Sequence, residues 1–363
     1  MKNKKFNLEN KDEEIQLIRG MKGFQLYKGQ KLSSPYYDFL TSNYIQLVLF
    51  IISLILNVIL ILFILIFVKF DNLNIFEQKD FNTNEKKIYK VDDYFYKLRL
   101  DYLHYQGYTY DEYNLVTFQD KINWLIIHDS TPLKTKCSDK ILVHEYSIEK
   151  LGKDICNKIL KIYNNVDEIN FDELPDQFAI KTNHGNSYNV IVKDKKNLYI
   201  KGAKQLLDNW MHSNYGEYRK EFHYSFIKPK IFVEEFIGEK LKNFKFLCYG
   251  GEPKYIYVSI SEGENKYRNF YDMDWNFKDF HCLSEPHPTL KYPKPKFFEE
   301  MKEIARKLSA DFRFVRVDLY ELENEVRLGE LTFTPMNSFF NCSRKEDEIE
   351  LGRYINTDIN NRY

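Results

Sequence analysis

Apolar residues are distributed unevenly along the chain. Residues 1–43 are polar and lysine-rich without a regular period, and residues 45–68 form an apolar run that carries no charge and only three polar residues, Gln46, Ser53 and Asn57. A helix needs about 20 apolar residues to cross the hydrocarbon core of a bilayer, so this run predicts a transmembrane helix. A secretory signal fits less well, because no small-residue cleavage site follows the run.

The chain is therefore expected to have four segments. They are a polar tail (1–43), a single transmembrane helix (44–69), a linker (70–90) and a globular domain (91–363). Lysines are slightly more numerous on the C-terminal side of the apolar run, which favours a cytoplasmic globular domain on a single-pass membrane protein. A buried core helix is the alternative interpretation of the run, although the run is long for such a helix.

The globular segment combines short apolar strands with an amphipathic helix. Within residues 297–309 apolar side chains recur at spacings of three and four, which predicts a helix. Strand patterns bounded by polar or glycine turns occur at residues 178–181, 189–192, 230–237, 244–253, 255–258, 314–320 and 326–333. Helices mixed with antiparallel strand pairs predict an α+β fold.

Composition excludes some classes of protein. The chain has 53 basic and 53 acidic residues, whereas a general nucleic-acid binder needs a basic excess, so we expect no nucleic-acid partner. The five cysteines are odd in number and no pair has zinc-finger spacing, which argues against a zinc ribbon and against a disulfide framework. We expect reduced cysteines in a cytosolic domain, and a solvated charge run at residues 219–221.

The last predicted hairpin carries two acidic residues in otherwise apolar strands. Asp318 lies in one strand and Glu330 lies in the next. Antiparallel pairing can place such carboxylates side by side, and clustered carboxylates are costly to bury without a cation. The pair therefore predicts a Mg²⁺ site that serves nucleotide phosphates. Two alternatives stay open from the residues alone: acids that face solvent, or Asp318 paired with Arg316.

Two further features are consistent with nucleotide binding. Lys181 ends a strand just before a loop that contains Gly185, and a lysine with loop amides suits a phosphate group. A surface lysine at a turn is the alternative. A later strand ends in two acids and two apolar residues, where backbone groups could bind adenine and an acid could bind ribose. These residues are Glu234, Glu235, Phe236 and Ile237.

The order of these features resembles the ATP-grasp fold, and the local strings resemble the TupA-like ATP-grasp family. The similarity extends over about residues 94–352, which is the larger part of the chain. The strings are residues 137–140, 144–146, 174–185, 244–250, 271–275, 315–320 and 329–335. The resemblance implies two α+β subdomains that grip ATP, preceded here by the transmembrane helix.

The resemblance also implies a role for individual residues. Lys140 and Lys181 would contact the α- and β-phosphates, and residues 234–237 would hold adenine. Lys245 would lie beside the γ-phosphate or the acceptor, and Arg316 would face the transferred phosphoryl group. Asp318 and Glu330 would ligate Mg²⁺. The loop that closes over the phosphates would consist of Asn183, His184, Gly185, Asn186 and Ser187.

The activity that the resemblance implies is ATP-dependent amide formation. Such a ligase phosphorylates a carboxylate to an acyl phosphate, which an amine then attacks. The substrates would be small or polymer-linked carboxylates and amines in cell-surface or capsular polymer synthesis, with ATP and Mg²⁺ as cofactors. The sequence departs from the family pattern at Asn243, where an aspartate is usual. Thr332 stands where many ATP-grasp enzymes have asparagine.

Two other functions compete with the ligase. Asp272 and Asp274 form an Asp-x-Asp triplet, a pattern with which many glycosyltransferases hold a metal and a nucleotide sugar. Together with one predicted membrane segment, this triplet would fit a membrane-anchored glycosyltransferase. The alternative is a polar turn without a metal. The third possibility is an inactive ATP-binding module, for which Asn243 is the only indication.

Overall fold

Three antiparallel sheets organise the part of the chain that the structure describes. The structure is a computed structural model, and it describes residues 75–79, 86–90, 98–99, 110–239, 241–338 and 340–358. All of them belong to a compact unit, Leu73–Tyr363, and a second unit comprises Met1–Asn72. The predicted tail and transmembrane helix lie outside the described residues. Within the described ranges, no helix is both long and apolar enough to span a bilayer.

The strands and helices follow one another in a mixed order. The strands are β1 (Ile75–Lys79), β2 (Lys86–Lys90), β3 (Ile159–Tyr163), β4 (Phe178–Thr182), β5 (Asn189–Val192), β6 (Ile231–Glu235), β7 (Lys242–Tyr249), β8 (Glu252–Glu262), β9 (Asn265–Asp272), β10 (Phe277–Lys278), β11 (Phe314–Glu321) and β12 (Val326–Thr332). The helices are α1 (Phe118–His128), α2 (Pro132–Ser138), α3 (Val143–Leu151), α4 (Ile200–Met211), α5 (Tyr215–Arg219), α6 (Phe298–Ser309) and α7 (Lys345–Gly352).

The three sheets have separate strand orders. β1 and β2 pair as a hairpin inside the segment interpreted as a linker. The larger sheets have the orders β3-β6-β4-β5 and β10-β9-β8-β7-β11-β12. The predicted α+β content is confirmed, and the two larger sheets form the cores of two subdomains.

The four-stranded sheet has one face against an apolar core and an opposite face that carries charged side chains. Ile180 and Val233 are buried in a core that includes Leu207 of α4. Because successive strand residues point to opposite faces, the neighbouring Lys181 and Glu234 lie on the other side of the sheet. The sequence alternation therefore directs both polar side chains away from the core.

The six-stranded sheet packs against α6, the predicted amphipathic helix. Met301, Ala305 and Leu308 of this helix are buried in the core beneath the sheet. Gly250 and Gly251 turn the chain between β7 and β8 with φ values of 53° and 87°. Those left-handed conformations suit glycine, which lacks a Cβ, and they explain why the predicted hairpin forms at this position.

Two of the five cysteines differ from the expectation of reduced thiols. Cys282 and Cys342 form a disulfide although 60 residues separate them. The fold brings the loop after β10 beside the segment before α7, where an isolated bridge joins these two residues. Because the two cysteines lie far apart in the sequence, no local pattern predicted that they pair. Cys137, Cys156 and Cys248 are free and buried.

Candidate functional site

A cavity of about 240 Å³ is lined by residues from both larger sheets. Eight of the predicted site residues line it, although they lie far apart in the sequence. They are Lys140, Lys181, Asn186, Ser187, Glu234, Lys245, Asp318 and Glu330. The fold therefore gathers the predicted phosphate-binding lysines and the predicted metal ligands at one site.

Asp318 and Glu330 are direct partners in the register of β11 and β12. Arg316 Nε and Nη2 lie 2.6 and 2.8 Å from the two Asp318 oxygens, and Nη2 lies 2.6 Å from Glu330 Oε1. Lys245 is the register partner of Asp318 on β7, and its ammonium donates to Asp318 Oδ2. The Thr332 hydroxyl donates to Glu330 at 2.9 Å. The alternative pairing of Asp318 with Arg316 thus coexists with the predicted pair of carboxylates.

The cations around Glu330 keep it ionised. Burial by itself would raise its pKa, but Arg316, Lys245 and Lys140 outweigh that effect and lower the pKa to about 2. Burial likewise opposes the charge of Arg316, but Asp318 and Glu330 help to hold the Arg316 pKa well above its ordinary value. The cavity therefore presents anionic oxygens that can accept a divalent cation and positive groups that can accept phosphate.

The second group of charges lies on the four-stranded sheet and the segment after α2. The Lys181 ammonium donates to Glu234 Oε1, and Asn157 Nδ2 donates to the same oxygen at 3.3 Å. The Lys140 ammonium donates to the Gly185 carbonyl. Burial lowers the pKa of Lys140, and nearby Lys181 lowers it further, whereas Glu330 raises it. Lys140 is therefore electrostatically linked to both groups of charges.

The predicted phosphate loop divides into an anchored part and a cavity-lining part. Asn183 is buried, and its side chain donates to Asp139 Oδ2 and the Lys228 carbonyl and accepts from the Lys230 amide. His184 is also buried, and its Nε2 lies 3.0 Å from the Trp210 carbonyl oxygen. Neither residue lines the cavity, and both side chains anchor the loop to neighbouring segments.

The remaining loop residues lie closer to the cavity. Asn186 and Ser187 line it. Ser187 has a φ of 62°, an uncommon conformation for a residue with a Cβ. Gly185 does not line the cavity, but a Cβ there would come within 2.6 Å of the Tyr188 ring. A side chain at this position would therefore press against Tyr188, whereas the bond to Lys140 uses a backbone carbonyl that any residue provides.

The predicted adenine segment reaches the cavity through one residue only. Glu234 lines the cavity, whereas Glu235, Phe236 and Ile237 are absent from its lining. Glu235 Oε1 accepts from the Lys158 amide at 3.2 Å and lies 3.4 Å from Arg327 Nη1. The carboxylate of Glu235 therefore ties β6 to neighbouring segments in this structure.

Two asparagines of the site were not among the predicted ligand-binding residues, although Asn243 was noted as a departure from the family pattern. Asn157 and Asn243 line the cavity, and the Oδ1 atom of each is buried without a hydrogen-bond partner in the described part of the chain. Asn243 lies two residues before Lys245 on β7 and opposite Tyr320 on β11. Both amide oxygens can accept a hydrogen bond from a ligand. Nothing local in the sequence marked Asn157.

Glu221 was expected to be solvated, and this expectation is wrong. Its side chain is buried, accepts a hydrogen bond from the Thr334 hydroxyl and lies 3.4 Å from the Tyr215 hydroxyl. Burial raises the pKa of Glu221 to about 7, although the hydrogen bond from Thr334 lowers it. The segment that follows α5 packs against the residues that follow β12 and buries this carboxyl group, and its neighbours in the sequence gave no indication of that.

The Asp-x-Asp triplet forms a polar turn, which was the alternative to a metal site. Asp272 Oδ1 accepts from the amides of Asp274 and Asn276 at 3.0 and 2.8 Å, and Oδ2 accepts from the Asn276 side chain. Although slight burial raises the pKa of Asp272, the bonds from Asn276 lower it overall. Neither aspartate lines the cavity. These contacts give no support to a glycosyltransferase site.

Two α+β subdomains around a cavity with lysines and paired carboxylates define an ATP-grasp type of protein. Residues 120–356, more than half of the chain, match the family model described as TupA-like ATPgrasp. The chain belongs to the TupA-like ATP-grasp family. No curated protein matches the chain.

Solved structures with similar folds share little sequence with the chain. D-alanine–D-alanine ligase from Bacillus anthracis complexed with ATP has 14% identity and a TM-score of 0.39, over 60% of this chain and 64% of that one. The ADP complex of purK, N5-carboxyaminoimidazole ribonucleotide synthetase, has 14% identity and a TM-score of 0.37, over 67% and 58%. ATP-grasp ligase PsnB with minimal precursor, Mg and ADP has 11% identity and a TM-score of 0.34, over 56% and 53%. The chain thus spans less than two thirds of each.

Proposed function

We propose that this protein is an ATP-dependent carboxylate–amine ligase. The observation that carries the proposal is the convergence of Lys140, Lys181, Lys245, Asp318 and Glu330 on one cavity. Family membership supports it, because the fold is that of ATP-grasp proteins. Phosphoryl transfer needs mainly positioning and charge neutralisation, and these side chains can supply both.

The donor set at the β11–β12 hairpin fits a magnesium ion. Asp318 and Glu330 provide carboxylate oxygens on paired residues that line one cavity, and oxygen ligands are those that Mg²⁺ prefers. These two residues would hold the ion. When bound, Mg²⁺ supplies positive charge to the nucleotide phosphates.

The lysines and Arg316 account for the proposed chemistry. Lys140 and Lys181 bind the phosphates of ATP, while Lys245 and Arg316 neutralise charge on the γ-phosphoryl group. A carboxylate oxygen of the substrate attacks the γ-phosphorus, and ADP leaves. The amine nitrogen then attacks the acyl carbon of the resulting acyl phosphate, inorganic phosphate leaves, and the amine proton passes to solvent.

Substrates linked to surface polymers and a membrane anchor complete the proposal. The resemblance to the TupA-like family supports a role in cell-surface or capsular polymer synthesis, and the uncharged run 45–68 supports a tether at residues 44–69 with a cytoplasmic catalytic domain.

Replacing Ile59 with arginine should release the full chain from the membrane fraction, since a central charge opposes insertion. Ile162→Arg, at an exposed position of the globular domain, is the control and should stay in the membrane fraction. Equal membrane retention of Ile59→Arg would reject the tether.

The direct test measures ADP release by the full chain. Purified protein is supplied with ATP, Mg²⁺ and a panel of amino acids and uronic acids, singly and in pairs, and products are identified by mass spectrometry. We expect ADP release that depends on a carboxylate and an amide product that depends on an amine. UDP release from a UDP-sugar would favour the glycosyltransferase instead. ATP binding without any turnover would identify an inactive binding module.

A further inference from the structure

A second cluster of potential metal ligands lies at the wall of the same cavity. His144, Asp154 and Cys156 each offer one ligand atom, and these atoms lie within 4.8 Å of one another. Elsewhere among the described residues, no other group of three His, Cys, Asp or Glu side chains comes together in this way. His144 and Cys156 also line the cavity, whereas the predicted magnesium ligands Asp318 and Glu330 are not part of the cluster.

The chain reversal after α3 brings the three residues together. His144 lies in the first turn of α3, and Gly152 ends the helix with a φ of 72°. The chain then returns past the helix, so that Asp154 Oδ2 lies 2.7 Å from His144 Nδ1. Asp154 Oδ1 accepts from the Cys156 amide at 2.9 Å, so the carboxylate contacts both other members of the cluster.

The backbone that carries Cys156 is held from its other side by β12. The Leu328 amide donates to the Ile155 carbonyl at 2.8 Å, and Arg327 Nη1 donates to the Cys156 carbonyl at 2.7 Å. The cysteine itself is buried, with 6% of its surface exposed. The thiol therefore occupies a fixed position beside a histidine–carboxylate pair.

We propose that His144, Asp154 and Cys156 form a binding site for Zn²⁺ or a similar borderline-soft divalent cation. Nitrogen, sulfur and carboxylate oxygen are the donors that Zn²⁺ takes, whereas Mg²⁺ and Ca²⁺ prefer sites made of oxygen. Three protein ligands leave a fourth coordination position, which a water or a ligand in the cavity can occupy. Binding releases the Cys156 thiol proton to solvent as the thiolate bonds the ion.

The ligand atoms must rearrange for the ion to enter. Two ligand atoms about 2.05 Å from a tetrahedral zinc ion are about 3.3 Å apart. The His144–Asp154 contact must therefore open from its 2.7 Å hydrogen bond. Asp154 is exposed and Gly152 precedes it, so its side chain can move without disturbing the core. A plain ion pair between His144 and Asp154 is the competing explanation.

Cobalt titration of the metal-stripped full chain tests the site without relying on activity. We expect one equivalent of Co²⁺ to produce a thiolate-to-cobalt charge-transfer band that Zn²⁺ displaces. Cys156→Ser should abolish the band, and His144→Ala and Asp154→Asn should weaken zinc binding by about 10-fold or more. Cys137→Ser is the matched control, since Cys137 is a second buried thiol that lines the same cavity; it should leave the band intact.

Each contrary result has a defined meaning. Absence of the band in the unaltered chain, or its survival in Cys156→Ser, would overturn the site. Unchanged zinc affinity in both His144→Ala and Asp154→Asn would do the same and would leave only the ion pair. Asp154→Asn keeps an oxygen for the Cys156 amide, so it tests the site even if Cys156→Ser fails to fold. None of these outcomes depends on the proposed ligase activity.

Discussion

At the residue scale, the sharpest prediction concerns the two carboxylates of the β11–β12 hairpin. Asp318→Asn and Glu330→Gln should each lower Mg²⁺-dependent ADP release by on the order of 10²–10³-fold, because each keeps the side-chain shape but removes an anionic metal ligand. Asp272→Asn is the matched control, since that carboxylate serves a turn away from the cavity. Thermal melting verifies folding. Full activity of either variant would exclude that carboxylate as a required ligand.

Glu221 should make stability depend on pH. The fold raises its pKa from 4.5 to about 7, chiefly through burial. Between these values the unfolded chain loses the proton more readily than the folded chain does, so stability falls as pH rises. The full loss is about 3 kcal/mol. Glu221→Gln has no such proton to lose.

Urea unfolding of both proteins at pH 4.5 and pH 8 measures this effect. Relative to the unaltered chain, Glu221→Gln should gain stability at the higher pH by up to that amount. Glu217→Gln, at an exposed position four residues earlier, should show no such gain. A Glu221→Gln difference that is the same at both pH values would mean that Glu221 does not titrate in this range.

At the element scale, Asn183 joins the ends of three elements. Its side chain connects the end of β4 to Asp139 after α2 and to the segment that leads into β6. The Lys140 amide also donates to the Asn183 carbonyl at 3.3 Å. These bonds fix the spacing between Lys140 and Lys181, so we infer that Asn183 is a positioning residue for the two lysines.

Asn183→Asp should therefore weaken both stability and nucleotide binding. The change sets a second carboxylate against buried Asp139 and removes a donor, which should cost about 1–3 kcal/mol of unfolding free energy. Asn186→Asp makes the same substitution three residues later at an exposed position and should cost little stability. Urea unfolding and equilibrium ATP binding measure the two effects. Equal losses of stability in both variants would contradict the role of Asn183 as an anchor.

Elements defined by nearby residues could be predicted, and contacts between distant residues could not. The β11–β12 hairpin spans few residues, so the strand pattern suggested that Asp318 and Glu330 lie near each other, but their direct pairing also depends on a register shift between Asp318 and Leu319. Glu221 meets Thr334 across 113 residues, and Asn183 meets Asp139 across 44. No local pattern encodes such contacts, because packing between elements decides them. The proximity of Lys140 to Lys181 was likewise expected only from the family resemblance.

At the scale of the whole molecule, the two larger sheets should respond together to the nucleotide. Lys181 belongs to the four-stranded sheet and Asp318 to the six-stranded sheet, yet both line one cavity. A ligand that binds only the folded state stabilises it by about 2.7 kcal/mol at 100 times its dissociation constant. Mg²⁺–ATP should therefore raise the melting temperature of the full chain.

Lysine variants test whether the nucleotide binds in this cavity. Lys140→Met and Lys181→Met should each lose most of the thermal shift, because each removes a phosphate-binding charge while it keeps most of the side-chain length. Lys196→Met, at an exposed position away from the cavity, should keep the shift. A shift that persists in both cavity variants would place the nucleotide elsewhere. A shift that is lost together with ADP release would instead tie binding and turnover to the same lysines, as a shared phosphate site requires.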